Sequence, residues 1–254
     1  MPKPAHIELG DGSIIPILHE DRSVIAIDKP PGWMLVPYSW QKTNRNLQAA
    51  IVSSIAAGHF WARSRGLKFL RFVHRLDAET SGVLLFARSL GAVETYGRLF
   101  ESRKMEKRYL AVVRGTPKQA EWTCREPLGP DPQQFGRMRV DRREGKSAET
   151  HFQVLQTGPN TSLLGARPIT GRTHQIRVHL LASGHPVAGD ELYGAKARRS
   201  EGKRNTGPQN RLGLRSVYLG YTDPFSKLRV TIEASTEGFL CEFGFTPPSI
   251  GAQA

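Results

Sequence analysis

Cysteine is nearly missing from this chain: 254 residues hold two, Cys124 and Cys241, far apart and without a Cys-x-x-Cys pair. That argues against a disulfide framework and a zinc ribbon, and it fits a reduced, cytoplasmic setting. No run of about 18 apolar residues is present, so a bilayer-spanning segment is not expected. The opening Met1-Pro2-Lys3-Pro4-Ala5 starts no secretory core either. Acidic residues are short too, 23 against 36 lysines and arginines, which gives +13 at pH 7 and a pI near 10.1. Such a balance favours a polyanionic partner, a ribosome, a tRNA or an acidic membrane surface among them. What is there is a foldable composition, 39% hydrophobic and 23% charged. With no internal repeat and no boundary strong enough to cut the chain, residues 1–254 read as one catalytic-size domain with room for two lobes.

Short β-rich runs at residues 13–18 and 23–27 flank the polar turn His19-Glu20-Asp21-Arg22 and predict a hairpin-like start. The second run ends in Asp28-Lys29-Pro30-Pro31-Gly32, a stiff loop after which Trp33 and Tyr38 either pack on it or stack on a base; packing is the commoner outcome. Asn46 reads as an N-cap before a helix that Gly58 stops. The apolar run Val83-Leu84-Leu85-Phe86-Ala87 predicts a strand buried on both faces. A helix over 90–103 and a strand over 109–113 follow, then strands at 148–155 and 162–169, a helix at 173–183 stopped by Gly184, and a final antiparallel pair at 215–221 and 228–234. Strand-rich order with intervening helices predicts an α+β fold with a mixed, largely antiparallel sheet and flanking helices. The polar, basic stretch at 196–211 has no core-forming residues and reads as a mobile loop.

Two segments carry chemistry. In His74-Arg75-Leu76-Asp77-Ala78-Glu79-Thr80-Ser81-Gly82, directly before the buried strand, an Arg-x-Asp pair closed by Thr-Ser-Gly fixes one carboxylate at the rim of a sheet. A carboxylate held there serves as a nucleophile, whereas the commoner reading of such a pair alone is an ion pair capping a turn. The second segment, Thr170-Gly171-Arg172-Thr173-His174-Gln175-Ile176-Arg177-Val178-His179-Leu180, joins a strand to a helix. His174 and His179 stand five apart with no third ligand evident, so packing or RNA contact is expected rather than zinc. Arg177 lies inside an apolar run; a guanidinium turned inward needs a buried anion, and Asp77 is the natural candidate. His74, Arg75, Thr80, Arg172, His174 and Gln175 are the candidate substrate contacts of the two segments.

On these motifs the chain closely resembles the RluA-type pseudouridine synthases over about residues 13–235. Asp28 to Gly32 matches the family's first motif and His74 to Gly82 its catalytic one. Lys107-Arg108-Tyr109 matches the middle motif, and Thr170 to Leu180 with Gly189-Asp190 and Tyr193-Gly194 the third. The resemblance implies the pseudouridine synthase fold with a cleft. It implies isomerisation of uridine in rRNA or tRNA by Asp77, with Tyr109 packing on the target base, Arg177 pairing with Asp77 and Arg75 assisting base extrusion. No cofactor and no metal are implied, and a monomer is expected. The family often carries an N-terminal S4 domain; only a dozen residues precede the first expected strand, so that module is expected to be absent. Where members commonly show Leu-His-Ala in the late strand, this chain has Leu214-Arg215-Ser216.

Positive charge gathers at Arg137, Arg139, Arg142, Arg143 and Lys146, and again at Arg198, Arg199, Lys203 and Arg204. A charge run is usually a solvated face; phosphate contact is the other reading, raised by the enzyme assignment. A catalytically idle RNA-binding or ribosome-assembly factor on the same fold is the competing class. The retained Asp77, Tyr109 and Arg177 favour the enzyme.

Overall fold

The computed structural model of the protein describes residues 2–36, 45–194 and 211–247. Its strands in chain order are β1 (His6–Glu8), β2 (Ile14–Glu20), β3 (Val24–Lys29), β4 (Arg71–Phe72), β5 (Ser81–Ala87), β6 (Glu106–Arg114), β7 (Glu121–Cys124), β8 (Leu128–Pro130), β9 (Met138–Val140), β10 (Thr150–Thr157), β11 (Thr161–Pro168), β12 (Leu214–Thr222) and β13 (Arg229–Glu233). The helices are α1 (Leu47–Ala56), α2 (Phe60–Arg63), α3 (Leu90–Glu101), α4 (Gln175–Ala182) and α5 (Glu237–Glu242). Among the described residues no helix is long and apolar enough to cross a membrane. The residues gather into two compact units, Met1–Glu106 with Tyr218–Ala234, and Lys107–Val217 with Ser235–Ala254. Both changes of unit near the middle of the chain fall inside strands, β6 and β12, where no linker composition marks them.

In the first unit β2 and β3 form the expected hairpin-like start, with Ile17 opposite Ile27. The first strand lies earlier than residue 13, however: β1 pairs with β2, Ile7 opposite Ile15. Three residues are too few for alternation to show in sequence. β3 then pairs with β5, and every side chain from Val83 to Ala87 is fully buried, as the continuous apolar run requires. Asn46 caps α1 by accepting from the Ala49 amide at 3.0 Å. Ser89 caps α3 in the same way, and that helix lays Ala92 and Tyr96 onto the sheet residues Val83, Leu85, Leu219 and Tyr221. The Tyr96 hydroxyl donates to the Asp223 carboxylate in the β12–β13 turn, so a large ring is buried without stranding its polar tip.

In the second unit β6, β11, β10 and β7 form an antiparallel set, with Tyr109 opposite Ala166, Val154 opposite Leu164 and Thr150 opposite Cys124. Leu110 and Val112 point from β6 toward Leu240 and Phe245, which α5 and the residues after it supply. A separate ribbon, β8 with β9, packs with α4 through Leu128, Ala148, Val178 and Tyr193. α4 starts two residues later than the sequence predicts because His174 takes a left-handed φ of 54°, and Gly184, at φ 83°, is the expected stop. The six residues Gln175 to Leu180 are all buried, so α4 is a core helix rather than an amphipathic one.

Candidate active site

Asp77 sits in the first unit, on the turn between β4 and β5. The turn closes through its own backbone, the Thr80 amide donating to the Asp77 carbonyl at 3.2 Å. Beneath it lies Lys29, the last residue of β3 and 0% exposed. Its Nζ donates to the carbonyls of Pro30 (3.0 Å), Ala78 (2.7 Å) and Thr80 (2.9 Å). The Gly32 amide adds a fourth tie, to Ala78 O at 2.9 Å. A buried ammonium thus joins the proline-rich loop to the carboxylate-bearing turn by the only acceptors that cannot rotate away, main-chain carbonyls. Burial pulls the Lys29 pKa down to about 8, against the upward pull of Glu79 and Asp77. His74, expected as a substrate contact, is half-buried: its Nε2 accepts from the Leu85 amide at 3.1 Å, and its ring stacks on Phe100 at 4.5 Å between centroids. Arg75 is exposed, Asp77 half-buried and Thr80 buried. Thr80 Oγ1 has no hydrogen-bond partner among the described residues.

Tyr109 and Arg177 sit in the second unit. Tyr109, 9% exposed, projects from β6. Arg177 on α4 is held by Asp190: Nε and Nη2 donate to Oδ2 and Oδ1 at 2.7 and 2.8 Å, a bidentate fork on a carboxylate whose side chain is fully buried. Asp190 Oδ1 also accepts from the amides of Leu192 and Tyr193, both at 3.0 Å. The sequence reading named Asp77 as the anion for this arginine; within its own unit that anion is Asp190. The Tyr193 ring faces the guanidinium at 4.9 Å, and its hydroxyl accepts from the Met138 amide and hydrogen-bonds His174 Nδ1, each at 2.8 Å. Gly189 makes the turn possible: at φ 70°, a Cβ there would stand 1.9 Å from the Arg211 carbonyl oxygen.

Gln175 opens α4 and serves the loop rather than facing outward. Its Oε1 accepts from Thr170 Oγ1 (2.6 Å) and the Arg172 amide (3.0 Å), while its Nε2 donates to Glu149 O and Thr150 Oγ1, both at 2.9 Å. His179 is packed, as expected, with its ring nitrogens on Thr150 Oγ1 and Glu126 O at 2.9 Å, and burial pushes its pKa down. Arg172 reaches Ser147 O at 3.1 Å. Lys107 Nζ donates to Thr170 O at 3.0 Å. Of the basic cluster, Arg137 lies 3.5 Å from Asp131 and over the Tyr193 ring, and Arg142 forms a bidentate pair with Glu126 at 2.7 and 2.9 Å. Arg198, Arg199, Lys203, Arg204 and Tyr38 lie outside the described residues. Trp33, 5% exposed, packs. Among the described residues no group of three or more His, Cys, Asp or Glu side chains is placed to hold a metal ion.

These two constellations stand on a chain whose residues 23–182 match the sequence profile of RNA pseudouridylate synthase. The chain belongs to the RNA pseudouridylate synthase family. It is 36% identical over 227 residues to ribosomal large subunit pseudouridine synthase C of Escherichia coli, covering 88% of this chain and 67% of that protein. With the protein of the same name from Salmonella typhimurium it shares 34% identity over 226 residues, 88% and 67% of the two chains. The chain therefore spans about two thirds of the length of the curated relatives it matches. Among solved structures, human RNA pseudouridylate synthase domain containing 1 superposes with a TM-score of 0.66 at 27% identity, over 87% of this chain and 83% of that one. Human RNA pseudouridylate synthase domain containing 4 gives 0.70 at 23% identity over 92% and 94%, a likeness of fold. The matched span includes both the Asp77 turn and the whole of α4, while the Asp190 that holds Arg177 lies just beyond it.

Proposed function

We propose that this chain isomerises uridine to pseudouridine in ribosomal RNA, with the Asp77 carboxylate as its catalytic group. The reaction breaks the N1–C1′ bond, turns the base and joins C5 to C1′. It needs a carboxylate fixed beside the sugar and the ring, as in other cleavages at a glycosidic carbon. The observation that carries the reading is the Lys29 clamp, which fixes the Asp77 turn through its main chain and leaves the carboxylate half-buried at the turn. An RNA-binding module has no evident need of such a device. In this reading Tyr109 packs on the target base, Arg177, held by Asp190, completes the catalytic set, and Arg75 fills the gap left by the extruded base. Thr80, His174 and Arg172 border the substrate, and His74 and Gln175 hold the two segments in place. Phosphate contacts fall to the basic clusters, with Arg142 exchanging Glu126 for RNA. The protein acts as a cytoplasmic monomer.

The test is a map of pseudouridines by carbodiimide treatment and primer extension in a strain lacking the gene. Loss of a stop in large-subunit rRNA, restored by the wild-type gene, is expected. Loss confined to tRNA would reassign the substrate, and an unchanged map in both would refute the activity.

A further inference from the structure

Lys107 is a half-buried cation that the proposed chemistry does not use. It lies two residues before Tyr109 in β6, so the two side chains leave the same face of the strand. Leu110 and Val112, of opposite parity, pack on the other face against Leu240. Among the described residues the Lys107 ammonium meets one acceptor, Thr170 O at 3.0 Å. Among the described residues no carboxylate offsets it, and burial pulls its pKa down to about 8. An ammonium carries three donors, so half-burying it against one neutral carbonyl leaves part of its desolvation uncompensated. The way out of this burial is also visible. A Cβ on Gly171 would lie 3.8 Å from Nζ, and Gly171 itself is exposed. The ammonium is therefore covered on that side by a glycine, which has no side chain to shield it.

We infer that Lys107 is a phosphate-binding residue of the RNA site, taking an anionic oxygen of the backbone beside the target uridine through the donors that Thr170 leaves unused. An anion is the ligand that answers both deficits, the missing counter-charge and the unfilled donors. The position beside Tyr109 puts that phosphate next to the base on which Tyr109 packs. The inference rests on RNA being the substrate.

The experiment uses the full chain and an in vitro transcript of large-subunit rRNA labelled with tritium at uridine C5. Single-turnover release gives the enzyme concentration at half-saturation and the saturated rate, each over a range of salt. Lys107→Gln keeps a donor for Thr170 O but no charge. It is expected to raise half-saturation about five- to tenfold and to flatten the log–log salt dependence by about 0.7–0.9, the release of one phosphate contact. Lys107→Arg is expected to stay near wild type on both measures. Gly171→Val, which shields the ammonium, is expected to weaken binding in the wild-type background and to add nothing on top of Lys107→Gln. Lys107→Gln with wild-type half-saturation and slope would show that the lysine only pins Thr170 and would overturn the inference. If wild-type protein releases no tritium, the proposed activity fails separately, and the same salt slopes read by filter binding still decide the role of Lys107.

Discussion

The Asp77 turn and the Arg177 helix solve opposite problems by opposite means. Asp77 is an anion left half-buried, and its position is set by main chain: a cation, Lys29, is sunk beneath it and holds the carbonyls of the turn. Arg177 is a cation that is itself sunk, 7% exposed, and its position is set by side chains, the Asp190 carboxylate along its edge and the Tyr193 ring on its face. The difference teaches where each half is fragile. The Asp77 turn keeps its main-chain ties to Lys29 when the carboxylate is neutralised. Arg177, positioned through a buried ion pair, is more fragile, because removing the guanidinium leaves the Asp190 carboxylate buried without that cation.

The largest effect on stability is therefore expected from Arg177→Met, which strands the Asp190 carboxylate with two backbone donors. Urea unfolding should register a loss of about 3–5 kcal/mol. The double variant Arg177→Met/Asp190→Asn should recover part of that stability and none of the activity. A single-variant loss below about 1 kcal/mol would place the pair outside the low-dielectric interior. Next comes Lys29→Met, which leaves the carbonyls of Pro30, Ala78 and Thr80 without their donor. A loss of about 1–3 kcal/mol is expected, with single-turnover rate falling further than RNA affinity.

The same lysine gives the two halves different responses to pH. Its folded pKa, about 8, lies below the unfolded lysine value of about 10.4. The cost of keeping it charged and buried is thus fully present below pH 8 and is relieved as pH rises through that window, so this group makes stability climb from about pH 8 to 10.4. A neutral amine has two N–H donors rather than three, so one of the three carbonyls in the clamp is released over the same window. Wild-type activity is expected to fall above about pH 8 while this contribution to thermal stability rises, and Lys29→Met should abolish that opposition. A stability contribution falling in parallel with activity would contradict it. The smallest effect is expected from Arg142→Gln: its pair with Glu126 is 76% exposed on the arginine side, and the melting temperature should not move.

Much of the fold was legible in sequence because its central pieces are long and locally consistent. The run Val83 to Ala87, the Asn46 cap and the Gly184 stop each announce themselves within a few residues. The unannounced pieces are short, β1, β4, β7, β8, β9, α2 and α5 having between two and six residues, too few for a period to emerge. The site divides in the same way. Asp77, Tyr109 and Arg177 stand in motifs readable as side chains. The role of Lys29 was hidden because its partners are carbonyls 49 and 51 residues away, which every sequence contains. Asp190 was visible as a motif member, but its hold on Arg177 depends on a left-handed glycine before it and on Tyr193 three residues after it, a geometry with no one-dimensional signature. The basic residues Arg137 and Arg142 looked free in sequence because their acidic partners, Asp131 and Glu126, lie 6 and 16 residues earlier.

The central claim, that Asp77 is the catalytic carboxylate of an RNA pseudouridine synthase on a turn held through its main chain, is tested most directly by Asp77→Asn. The measurement is tritium release from C5 of uridine in ribosomal RNA, run beside filter binding and thermal melting on the same preparation. The account predicts release below detection with RNA affinity retained and the melting temperature within a few degrees of wild type. Wild-type release from the Asp77→Asn protein would contradict it.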